Sequence, residues 1–301
     1  MMGSNLDLLQ EGNVRQKEST VPLSTVQNDN SVFIGEALDE DDKLNLLMTD
    51  AKPYITVLVG FEGYGKTSFV ATCYHILLTD GGIGEYKFFD SDTLVGLERR
   101  SFLRRYNKIM ADDAPATKRT IRGEAHLLTF HFSKEGKEKV TIFSDHSGED
   151  YRAYADKKGK IENDILIQNA DRILFFIDVP MLLGKGYLQM FQYYKNLLNN
   201  MRDARIFRSQ TKVSILFNKI DTISADDTAR YEKKKQAILP TFRNLVGKQD
   251  IEIIELISND IQNSDHLKQL LEDVVKSESY QNWNDMGEVN LDWVKQFIKD
   301  H

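Results

Sequence analysis

Residues able to do chemistry cluster at three places in this 301-residue chain. The first is Gly60-Phe61-Glu62-Gly63-Tyr64-Gly65-Lys66-Thr67-Ser68, which fits G-x-x-x-x-G-K-[ST] between an apolar β-type run and a helix-type one. Glycines let successive backbone amides curl toward one point, and the helix that follows adds its positive end, so the segment reads as an anion cradle. Within it Lys66 would bridge terminal phosphates, the Thr67 hydroxyl would ligate Mg²⁺ and Ser68 would donate to the innermost phosphate. Gly60, Glu62, Gly63, Tyr64 and Gly65 supply the backbone that wraps the polyphosphate.

The second place is Asp145-His146-Ser147-Gly148-Glu149, directly after the β-type run Val140 to Phe143. A carboxylate at the end of a buried strand beside a phosphate loop is where Mg²⁺ gains a second protein contact through water, which gives Asp145 that role. The Gly148 amide can approach a γ-phosphate because no Cβ obstructs it. The third place is Asn218-Lys219-Ile220-Asp221, after the apolar run Val213 to Phe217. A carboxylate at Asp221 can accept from N1–H and the exocyclic amine of guanine, two donors that adenine does not offer together. Asn218 would orient the loop and meet the opposite edge of the base, and the Lys219 stem would lie over its face. After the last β-type run, Ser258-Asn259 occupies the place of a loop amide that contacts the guanine oxygen.

These segments need strands to end at one edge. β-type runs lie at Tyr54–Val59, His126–Phe132, Val140–Phe143, Arg172–Val179, Lys212–Phe217 and Ile251–Ile257; helix-type stretches lie at Lys66–Leu78, Tyr187–Arg205, Asp226–Val246 and Ser264–Val275. The alternation predicts an α/β fold of three layers: a mainly parallel sheet covered on both faces, with Ser133 to Lys139 closing one antiparallel hairpin. Residues 1–50, polar except for patches such as Val32-Phe33-Ile34, read as a mobile arm and docking segment. Residues 277–301 read as a tail ending in the helical stripe Leu291, Val294, Phe297 and Ile298.

Composition narrows the partners. With 39 Lys and Arg against 46 Asp and Glu the net charge is −7, so the global field repels polyanions and nucleic acid is not an expected partner. The single cysteine, Cys73, excludes an intramolecular disulfide and fits a reducing cytoplasm. The run Ile173 to Leu183 is broken by Asp178 and Pro180 and is too short to span a bilayer, so a soluble cytoplasmic protein is expected.

In order and strand context, Gly60–Thr67, Asp145–Gly148 and Asn218–Asp221 resemble the motifs of a P-loop GTPase of the Ras-like, translation-factor-related class, over residues 54 to about 276. Within that class Gly63-Tyr64-Gly65-Lys66-Thr67-Ser68-Phe69 with Cys73-Tyr74-His75 resembles the bacterial double-GTPase group, thought to serve conflict or anti-phage systems beside a second GTPase. The resemblance implies a P-loop NTPase (G domain) over 51–276, GTP as substrate, GDP as product, Mg²⁺ as cofactor, and a protein effector or second GTPase as partner.

Two departures bear on turnover. Small GTPases place a Gln after Asp-x-x-Gly; this chain has Glu149, whose carboxylate can accept from the attacking water yet is repelled by the γ-phosphate, so slow hydrolysis is expected without a partner. Residues 80–118 form an insertion in the first switch, with helical spacing over Ser91–Met110 and cations at Arg99, Arg100, Arg104, Arg105 and Lys108. The hydrolytic side chain is therefore Glu149, His146 or one of these arginines entering in cis. The switch threonine, which would sense the γ-phosphate and touch the metal, is Thr120, with Thr117 as runner-up. Two functions remain open: a Mg²⁺-dependent GTP-hydrolysing switch, and a GTP-binding assembly module that hardly turns over; an ATP-using P-loop enzyme is disfavoured by Asp221.

Overall fold

The computed structural model describes residues 36–38, 52–107, 126–258, 260 and 264–279, with only the backbone of 103–107. The bulk of the expected arm, Thr117, Thr120, Lys108, Asn259 and the stripe from Leu291 to Ile298 lie outside the described residues, as do the side chains of Arg104 and Arg105.

The central strand is β1 (Tyr54–Val59), whose six residues are all buried, as a strand covered on both faces requires. Its neighbours are β5 (Lys137–Ser144) on one side and β6 (Arg172–Asp178) on the other, both parallel to it. Beyond β6 come β7 (Lys212–Asn218) and β8 (Glu252–Leu256), again parallel. On the other side β4 (Leu127–Lys134) pairs antiparallel with β5 from Leu127↔Ser144 to Lys134↔Lys137, the expected hairpin. Two short strands, β2 (Gly82–Ile83) and β3 (Tyr86–Asp90), extend this edge to give the eight-stranded order β2-β3-β4-β5-β1-β6-β7-β8. No strand is expected there from the sequence, because Tyr86–Asp90 has no fully buried position.

Helix α1 (Lys66–Asp80) follows β1 and is buried on most sides through Phe69, Val70, Cys73, Tyr74, Ile76 and Leu77. Gly81, in the left-handed region at φ 73, ends it. Helix α2 (Leu94–Asn107) is the helix expected in the insertion, and it packs on α1. After β5 come α3 (Gly148–Asp156), α4 (Lys158–Glu162) and α5 (Ile165–Gln168). After β6 come α6 (Val179–Leu183) and α7 (Tyr187–Asp203); α8 (Thr228–Val246) precedes β8 and α9 (Asp265–Lys276) follows it. Helix α7 buries Met190, Tyr194, Leu197, Leu198 and Met201, a stripe at helical spacing, and contacts α3 and α8; α9 instead contacts α1. These groups form the outer layers of a three-layer α/β fold.

Because β1 is flanked by β5 and β6, the carboxyl ends of β1, β5, β6 and β7 open onto one crevice where the chain order reverses. Open parallel sheets bind ligands at such a point.

Candidate functional site

The loop between β1 and α1 forms the floor of the crevice. Gly63 and Gly65 adopt φ of 78 and 90, a region that side-chain-bearing residues rarely enter, and this turns their amides inward. A Cβ on Gly65 would sit 2.2 Å from Asn218 Nδ2, so the loop and the end of β7 approach too closely for any other residue. Two aromatic side chains of the loop point into the core: Phe61 lies 5.7 Å from Tyr64 and 5.0 Å from Tyr194 of α7, centroid to centroid, and fixes the loop from beneath.

Lys66 lies buried at the first turn of α1, its ammonium donating to Gly60 O at 2.6 Å and to Phe61 O at 3.3 Å. Burial pushes it down to about 8, against the opposing pull of Asp145, Asp150 and Glu62. It also stands 5.6 Å from the ring centre of Tyr151 on α3. Tyr151 is fully buried, and its hydroxyl has no hydrogen-bond partner among the described residues. No motif pointed to Tyr151; its place one turn past Gly148 is the signal that could have.

Thr67 Oγ1 donates to both oxygens of Asp145, at 3.1 and 2.9 Å. A hydroxyl and a carboxylate meeting in this way offer the hard oxygen donors that suit Mg²⁺, so the residues fit the metal that the fold implies. Asp145 is completely buried and also receives Nε of Arg100 at 3.3 Å; Arg100 belongs to α2 and is itself buried. Of the insertion arginines, Arg100 is thus at the site, whereas Arg99 pairs with Glu36 at 2.7 Å.

Gly148 presses against the floor. A Cβ there would lie 2.0 Å from the amide nitrogen of Glu62, so a glycine is required by backbone-on-backbone contact. Ser147 caps α3 in a reciprocal box with Asp150, and Glu149 stands half-buried at the second helical position. Beneath this turn is a buried polar cluster. His146 is bound on one ring nitrogen to Ser144 Oγ at 2.5 Å and on the other to Asp164 Oδ2 at 2.7 Å, so neither nitrogen faces the crevice unengaged. The His126 ring lies tilted against His146 with centroids 3.8 Å apart. Asp164 further accepts from the Tyr154 hydroxyl and from the amides of Leu166 and Ile167. Burial alone would raise the Asp164 carboxyl, but the charge and hydrogen bond of His146, with the other donors, hold it far below the usual range.

At the opposite end, Asn218 is buried and bridges two loops: Nδ2 donates to Tyr64 O at 2.8 Å and Oδ1 accepts from Ser258 N at 2.9 Å. Ser258 O in turn accepts from Thr72 of α1. Lys219, left-handed at φ 65, donates to Gly63 O at 2.7 Å and pairs with Asp178 at 2.5 Å. The Asp221 carboxylate is exposed on the next turn, Ile220–Thr222. The structure thus brings Gly60–Ser68, Asp145–Glu149, Asn218–Asp221 and Ser258 to one crevice.

A family described as DO-GTPase2, Double-GTPase 2, matches residues 55–277. Among solved structures, a bacterial selenocysteine-specific elongation factor EF-Sec aligns at 15% identity and TM-score 0.39, over 77% of this chain and 30% of the factor's. The Arl6 BBS3 small GTPase from Trypanosoma brucei, with a bound nucleotide analogue GppNp, aligns at 12% identity and TM-score 0.39, over 74% of this chain and 98% of its own. This chain therefore spans under a third of the elongation factor. No curated protein sequence matches. On the strength of the match that runs from β1 to the end of α9, the chain belongs to the Double-GTPase 2 family and is a P-loop GTPase by fold.

Proposed function

We propose that residues 51–276 form a GTP-binding module that hydrolyses GTP to GDP and phosphate with Mg²⁺, acting as a switch for a partner protein. The observation that carries this reading is the bridge made by Asn218, which ties the phosphate loop at Tyr64 to the loop at Ser258 and leaves the Asp221 carboxylate beside them open to solvent. A wrong base leaves that carboxylate without its donors, which is the basis of guanine selection. Lys66 and the loop amides would hold the β- and γ-phosphates, with Ser68 on the innermost one. Thr67 and Asp145 would hold Mg²⁺, joined by the switch threonine at Thr120; the metal neutralises charge on the phosphates when bound. The Gly148 amide would face the γ-phosphate, and Ser258 with Asn259 would close over the guanine oxygen. GTP would order the segment around Thr120 and the turn Asp145–Glu149, and hydrolysis would release them. The partner is a protein effector or a second GTPase, in the setting of a bacterial defence system.

A second reading, a GTP-dependent assembly module with little hydrolysis, is favoured by one observation: His146 is engaged on both ring nitrogens and so cannot serve as a base without dismantling the cluster beneath the turn. Calorimetry with Mg²⁺ and each nucleotide tests the shared core. Tighter binding of GTP than ATP by at least ~100-fold is expected from a site whose Asp221 carboxylate pairs two base donors, and equal affinity overturns both readings. Multiple-turnover phosphate release, with and without a candidate partner, then separates them.

A further inference from the structure

The contact between Arg100 and Asp145 has no place in binding guanine, yet it is among the most buried charge pairs in the molecule: Arg100 is 8% exposed and Asp145 not at all. A guanidinium brought that deep needs a fixed seat, and α2 supplies one. Arg100 Nη1 donates to Gly96 O one turn back at 3.2 Å, and Leu97 beside it is fully buried. Gly96 lies so close to residue 37 that a Cβ would stand 2.6 Å from the Ala37 nitrogen. Tyr74 of α1 donates to Glu98 at 2.6 Å. The first turns of the helix are thus docked with the deeply buried Arg100 on the carboxylate that, in the reading above, serves Mg²⁺.

A divalent cation between Thr67 and Asp145 would lie within a few ångströms of this guanidinium, and like charges at such range in a dry site repel strongly. Both cannot take Asp145 as counter-ion without cost. Resting on the GTP-binding reading, we propose that Arg100 is the intramolecular counter-ion of Asp145 in the metal-free protein and competes with Mg²⁺ for it, so that metal loading loosens helix α2 from the site. Metal occupancy is thereby transmitted to the surface of the insertion, where Phe89, Leu94, Val95 and Phe102 are exposed. Arg100 acts through Asp145 and is a positioning residue.

The test follows dissociation of a fluorescent GDP analogue from the full chain while free Mg²⁺ is titrated, reading the Mg²⁺ midpoint for retention. Arg100→Gln removes the competing charge and should lower the midpoint by ~10-fold or more, the scale of losing one close like charge; Arg100→Lys, which keeps it, should stay near the native value. Hydrogen exchange on the unaltered protein gives a second readout that needs no variant: adding Mg²⁺ to the GDP complex should speed exchange across 94–102. An unchanged or higher midpoint in Arg100→Gln overturns the proposal, as does an α2 indifferent to Mg²⁺. Native protein that retains no GDP at any Mg²⁺ concentration overturns the GTP-binding reading itself, whereas retention of GDP with an unmoved midpoint overturns the role of Arg100 alone.

Discussion

The two ends of the crevice are built on opposite plans. At the end proposed for the base, Asn218 and Lys219 are already hydrogen-bonded to the phosphate loop at 2.8 and 2.7 Å and Ser258 to Asn218 at 2.9 Å, leaving Asp221 exposed. At the phosphate end, the groups that would meet metal and γ-phosphate are engaged with one another: Thr67 and Arg100 on Asp145, Lys66 on Gly60 and Phe61, Gly148 on Glu62. The first end is preorganised, and ordering it on binding costs little. On the proposed reading the second would exchange internal partners for ligand, which is what a two-state element requires. On that reading, such a site would grip GTP and GDP alike through the base and distinguish them only where contacts have to be broken.

The hardest blow to that contrast is Asn218→Ala. It strands the Tyr64 carbonyl and the Ser258 amide, both buried partners of one side chain. At about 1–3 kcal/mol for each orphaned group the bridge is no longer preorganised, and binding, which must then restore its order, should weaken by up to about 4 kcal/mol, or ~10³-fold in affinity. Because the damage is at the base end, calorimetry should find the same loss for GDP and GTP. A variant that loses GTP but keeps GDP breaks the division of labour.

Asp164→Asn probes the phosphate end from below. Removing one partner of a buried hydrogen bond costs about 1–3 kcal/mol, and here it also removes the anion that receives the Tyr154 hydroxyl and caps α5. Denaturant unfolding at neutral pH should show that deficit. The pH course carries a sign: a carboxyl held below its unfolded value of about 3.9 contributes stability above that value and loses it as pH falls. The difference between native protein and variant should therefore narrow below about pH 4. A constant difference down to pH 3 would mean that Asp164 is not held ionised by its surroundings.

How much of this was legible before any coordinates follows the same divide. The phosphate loop, the Asn218 turn and the central strands are local patterns, glycines with a basic residue or unbroken apolar runs such as Ile173–Ile177, legible to within a residue or two except at β5, which begins three residues before the apolar run Val140–Phe143. The P-loop fold and the double-GTPase resemblance followed from them. What escaped depends on tertiary register. Five cations share the insertion helix in sequence, and only the docking of Gly96 and Leu97 decides that Arg100 turns inward while Arg99 meets Glu36. The His146–Asp164 pair is eighteen residues apart with two helices between, so a lone loop histidine gives no hint that both its nitrogens are engaged. Strands β2 and β3 are half-exposed edge pieces whose composition reads as loop.

Glu149 sharpens the comparison with the smallest effect. The cap of α3 is already complete through Ser147 and Asp150, so Glu149 is not needed to start the helix. Its acidic charge at the second position is worth only about 0.3–1 kcal/mol against the helix dipole. If it also orients the attacking water, Glu149→Ala should slow single-turnover GTP hydrolysis ~10-fold, near 1.4 kcal/mol of barrier, with GDP affinity unmoved because the base end is untouched. Unchanged hydrolysis would remove Glu149 from the reaction. With His146 engaged on both sides, it would leave the described face of the γ-phosphate site without a free side-chain acceptor among the residues singled out for water, and the slow or absent turnover of an assembly module would become the better account of this crevice.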